Sequence, residues 1–73
     1  MMAAKKKTPT LAQVRKLARE KLGERATIDV GMDPFSPGIH YASVSHVTKH
    51  VAPAYELSRS AALRALYAAL EAL

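Results

Sequence analysis

Three histidines, a pair of serines beside one of them and two nearby aspartates are the residues whose types suggest reactive chemistry. His40, His46 and His50 raise the question of a metal ion. On a strand, however, His40 and His46 would stand about 20 Å apart by the rise per residue, too far to share one ion. Ser43, Ser45 and His46 include a nucleophile type and a base type. Nucleophilic catalysis also needs the two side chains to meet, with a third group orienting the base, and the spacing specifies no such arrangement. Asp29 and Asp33 form a carboxylate pair by type, but Asp33 sits in a Pro- and Gly-bearing turn that already explains it. There is no glycine-rich phosphate loop and no internal repeat. The chain reads as non-enzymatic, with no catalytic residue, no cofactor, no metal and no small-molecule substrate expected.

The stronger chemical signal is charge. Eight of the eleven Lys and Arg residues fall in the first 25 positions: Lys5, Lys6, Lys7, Arg15, Lys16, Arg19, Lys21 and Arg25. Only two acids, Glu20 and Glu24, accompany them. The rest of the chain carries Lys49, Arg59 and Arg64 against four acids. This asymmetry is the footprint expected for a polyanionic partner, although spare surface lysines also serve solubility.

The chain has 73 residues and no cysteine. Disulfide and thiolate-metal scaffolds are thereby excluded, and a core of this size rarely supplies more than roughly 3 to 5 kcal/mol unaided. Self-association is the most economical supplement. The basic start lacks the apolar run and cleavage site of a secretory signal, and no stretch reaches the length of a membrane span. A cytoplasmic protein with no membrane partner is expected.

Met1 to Pro9 hold small and basic residues without apolar periodicity and read as a disordered basic arm, leaving 10–73 as one domain. Thr10 and Gln13 have capping-box spacing. Leu11, Val14, Leu17, Ala18 and Leu22 then repeat at helical spacing, and Gly23 can supply a left-handed stop. At 100° per residue Arg15, Lys16 and Arg19 form a basic ridge on one flank, apart from Gln13 and Glu20. From Arg25 to Met32 the period becomes two, with Ala26, Ile28, Val30 and Met32 facing one way, as in a half-buried strand. The segment Asp33-Pro34-Phe35-Ser36-Pro37-Gly38 breaks it. A second strand from Ile39 to about Val47 completes an antiparallel hairpin.

Pro53 interrupts the stretch Thr48 to Leu57, where a short third strand around Ala54 to Leu57 fits only at a sheet edge. Ser58 or Ser60 can cap a last helix over Ala61 to Leu73. That helix has a leucine face of Leu63, Leu66, Leu70 and Leu73. A narrow polar stripe carries Ser60, Arg64 and Glu71, and the remaining side holds Ala62, Ala65, Ala69 and Ala72. The alanines would let another helix approach closely, either the first helix or a second copy. The predicted class is α+β: helix, strand, strand, short third strand, helix, with both helices on one face of an antiparallel sheet.

That order, together with Ser58-Arg59-Ser60-Ala61-Ala62-Leu63-Arg64-Ala65, resembles the double-stranded RNA-binding domain. The family opens its second helix with a serine, a basic cluster and alanine-rich turns. The resemblance implies that Arg59 grips phosphate, with the first helix and first hairpin loop reaching adjacent grooves. Ser60 and Leu63 depart from the lysines that the family prefers.

Two functions stay open. In one, Lys5, Lys6, Lys7, Arg15, Lys16 and Arg19, assisted by Arg25 and Arg59, neutralise phosphates of duplex or structured nucleic acid. Phe35, Tyr41, Tyr55 and Tyr67 are scattered in sequence, which argues against a stacking row for single strands. In the other, Ala62, Ala65, Ala69 and Ala72 make a protein interface for a homodimer or a larger partner.

Overall fold

A computed structural model describes residues 8–46 and 49–73. Helix α1 spans Leu11–Leu22 and is opened by the expected capping box. The Gln13 N–H donates to Thr10 Oγ1 at 3.1 Å, and the Thr10 N–H donates to Gln13 Oε1 at 2.8 Å. Val14, Ala18 and Leu22 are buried, with Leu11 and Leu17 packed against them. Gly23 ends the helix at φ 112° and ψ 163°, its N–H donating to the Arg19 carbonyl. This is the extended positive-φ region, which essentially only glycine occupies, and not the left-handed helical region expected from the spacing. The Ala26 N–H then returns to the Gly23 carbonyl at 3.1 Å. That tight turn takes up Arg25 and Ala26, so the first strand starts two residues later than its period suggests.

Strand β1, Thr27–Met32, pairs antiparallel with β2, His40–Ser45, in a register that sets Thr27 opposite Ser45 and Met32 opposite His40. Between them Asp33 Oδ1 accepts from the Phe35 N–H at 2.9 Å, Gly38 takes φ 84°, and the Asp33 N–H reaches the Ile39 carbonyl at 2.8 Å. The connection is a stiff turn held from within. Strand β2 stops at Ser45 because His46 adopts φ 59°, which bends the chain out of the ladder. Val47, expected in this strand, lies outside the described residues. The third strand forms as β3, Ala54–Glu56, paired antiparallel with β2. Strand order is β1-β2-β3.

Helix α2, Arg59–Glu71, is capped by Ser58, whose Oγ accepts from the Ala61 N–H at 3.1 Å. Both helices cover one face of the sheet. Among the described residues the core comprises Val14, Ala18, Leu22, Ala26, Ala42, Val51, Ala62, Leu63, Leu66 and Leu70, with Ile28, Val30 and Val44 packed against it. Four of these ten are alanines, so the layers close over a thin core built around Leu66, Leu70 and Val14. Leu73, expected on the buried face, falls past the end of α2 and is partly exposed. Among the described residues no helix is long and apolar enough to cross a membrane.

Candidate functional site

The alternation of the strands separates two kinds of surface. Ile28, Val30, Ala42, Val44 and Ala54 face the helices, which leaves Thr27, Asp29, Gly31, Tyr41, Ser43, Ser45 and Tyr55 on the uncovered side. The candidate sites divide accordingly between the helix layer and the bare sheet.

On the helix layer, Arg15, Lys16 and Arg19 are all exposed on α1 and line one shallow hollow together with Ala12, Glu20 and Glu24. Glu20, expected to stand apart from the ridge, thus shares its hollow, as does Glu24. Lys16 and Glu20 are one helical turn apart and only about 40° around the axis, so they belong to one neighbourhood. Among the described residues no side-chain hydrogen bond engages Arg15, Lys16 or Arg19. Arg25, in the turn before β1, and Arg59, at the first position of α2, are exposed and line no part of this hollow. Lys5, Lys6 and Lys7 lie outside the described residues.

The alanine series of α2 divides. Ala62 is fully buried in the chain's own core, so it offers nothing to a partner; Ala65 is half-buried, and Ala69 and Ala72 are exposed. Arg64 Nη1 donates to Thr8 Oγ1 at 2.9 Å, which ties the segment before α1 to the outside of α2. A groove at this link is lined by Pro9, Gln13, Arg64, Ala65, Tyr67, Ala68 and Glu71.

The bare sheet face holds an arrangement that sequence spacing missed. Tyr41 and Tyr55 are direct cross-strand partners, and Tyr41 also stands opposite Gly31. Its ring lies over that glycine: a Cβ at Gly31 would come within 3.0 Å of the Tyr41 hydroxyl. The ring thereby reaches Asp29, and the hydroxyl donates to Asp29 Oδ2 at 3.2 Å. This hydrogen bond, reinforced by the carboxylate's negative charge, pushes the Tyr41 pKa above its ordinary value of 10.0. Nearby, Thr27 and Ser45 share a hydroxyl hydrogen bond of 2.8 Å, so the Ser45 hydroxyl is engaged with Thr27 and not with His46. Asp29, Asp33, Pro34, Phe35, Tyr41, Ser43, Pro53 and Tyr55 line one open hollow. The three rings that look scattered in sequence are gathered by the hairpin register and the third strand.

Among the described residues no three His, Asp or Glu side chains form a group able to hold a metal ion. No family model, curated protein or solved structure matches the chain. Site geometry thus carries the functional reading.

Proposed function

We propose that this chain is a small non-enzymatic nucleic-acid-binding module. It contacts the phosphates of duplex or structured nucleic acid through Lys5, Lys6 and Lys7 and through Arg15, Lys16 and Arg19. The observation that carries the reading is the exposure of those three α1 cations side by side, with no hydrogen-bond partner among the described residues. Cations left unengaged are available to replace the counterions of a phosphate chain. Glu20 and Glu24 in the same hollow temper the attraction, so the N-terminal lysines are needed for affinity. The element order α1-β1-β2-β3-α2 is compatible with the double-stranded RNA-binding topology. Arg59 opens α2 as that resemblance requires, whereas Arg64 is already committed to Thr8.

The test is a salt titration of binding to duplex RNA and duplex DNA. The full chain is compared with a variant lacking Met1 to Thr8 and with the triple variant R15A/K16A/R19A. Every phosphate that a variant no longer neutralises should reduce the slope of log affinity against log salt by about 0.9. The slope of the triple variant is expected to be shallower by roughly 2 to 3 units. Absence of binding at about 50 mM salt would remove the proposal.

A second reading is favoured by the outer side of α2, where Ala65, Ala69 and Ala72 lie near an exposed Leu73. Small residues on a nearly uncharged helix side allow a second helix to approach closely, in a homodimer or with a larger protein.

A further inference from the structure

The outer sheet face is composed against the usual rule that the wet side of an antiparallel sheet is polar. Phe35 is 91% exposed and Tyr55 57% exposed, beside the Tyr41 ring that lies over Gly31. Pro34 and Pro53 extend the same apolar surface. Its charged groups are both negative, Asp29 and Asp33, and among the described residues no Lys or Arg lines it, although the chain as a whole carries +5. Two carboxylates among aromatic rings form a surface that attracts cations twice over, through charge and through the negative ring faces. The same carboxylates repel phosphate, so the rings are poorly placed to stack the bases of a nucleic acid strand.

We infer that this face docks a basic peptide segment of a protein partner. Lys or Arg heads sit against Asp29 and Asp33, and their aliphatic stems lie on Tyr41, Tyr55 and Phe35. The surface is independent of the proposed phosphate contacts of α1: it lies on the other layer and selects the opposite charge.

The test titrates the full chain with a short peptide of Lys, Arg, Gly and Ser, and with its counterpart carrying Glu in place of every Lys and Arg. Binding is followed by tyrosine emission, since the chain contains no tryptophan. The net charge of +5 opposes indiscriminate adherence of a polycation, so saturable binding reports a local site. The basic peptide is expected to bind and the acidic one not. Phe35→Ala and Asp29→Asn should each weaken binding about fivefold or more. Both positions are exposed, and amide spectra of the variants establish that they fold. R15A/K16A/R19A, which lowers the net charge that opposes a basic peptide, should bind it at least as tightly as the parent does, and this separates the site from the nucleic-acid reading. The inference is overturned if no saturable binding appears at low salt, or if both variants bind undiminished. A single-stranded oligonucleotide that binds in place of the peptide, and no longer does so in Phe35→Ala and Tyr55→Ala, overturns it equally.

Discussion

At the scale of single residues, the hydrogen bond between Tyr41 and Asp29 joins two side chains of the bare sheet face. Gly31 makes room for it, because a Cβ there would require the Tyr41 ring to give way by a few tenths of an ångström. The folded chain holds the Tyr41 proton more tightly than an unfolded chain, in which tyrosine titrates near 10.0. The stability this bond contributes is therefore fully present below that pH and is lost as pH rises through the higher folded value. Ultraviolet titration of the phenols should show one tyrosine with a midpoint above 10.0. Asp29→Asn should lower that midpoint, because the substitution removes the charge that opposes phenolate formation. An unchanged titration curve in Asp29→Asn would show that the carboxylate has no hold on the phenol.

At the scale of elements, α2 is the piece with two allegiances. Leu63, Leu66, Leu70 and Ala62 are committed to the core, while Ala69 and Ala72 remain outside. Under the assembly reading, sedimentation of the full chain should show a mass that rises with concentration, and Ala69→Glu should hold it at one chain. A constant monomer up to high micromolar concentration would exclude assembly through this face. The elements themselves were legible in sequence because their signals are local. Thr10 and Gln13 are three residues apart, the apolar period switches from helical to alternating near Arg25, and two prolines bracket the hairpin turn. The pairing of Tyr41 with Tyr55 was not legible, since it depends on how a three-residue strand beyond Pro53 sets its register against β2. The acids beside the basic ridge were legible in principle: Lys16 and Glu20 stand one turn apart, and only the division of the helix into separate flanks hid the relation.

At the scale of the whole molecule, the ten core side chains found among the described residues, four of them alanine, leave little reserve. Leu66 is fully buried where helix and sheet meet. Its truncation to alanine costs about 2 to 5 kcal/mol, comparable with the roughly 3 to 5 kcal/mol that so small a domain holds in total. Leu66→Ala should therefore lack a cooperative thermal transition in far-ultraviolet circular dichroism above room temperature. A transition within a few degrees of the parent would mean that stability resides elsewhere.

The division into a helix-covered side and a bare sheet side also separates charge in part, with Arg15, Lys16 and Arg19 outnumbering Glu20 and Glu24 in the α1 hollow and only Asp29 and Asp33 as charged lining of the opposite one. Such a molecule is an electric dipole as well as a net cation. On the proposed nucleic-acid reading it would turn in the field of the polyanion before touching it, so that collisions begin with α1 foremost and a larger fraction of them are productive. On that same reading, the carboxylates on the far side would thus help set the rate of arrival at a surface they never meet, and added salt would slow that arrival by blurring the molecule's orientation as well as by weakening its attraction.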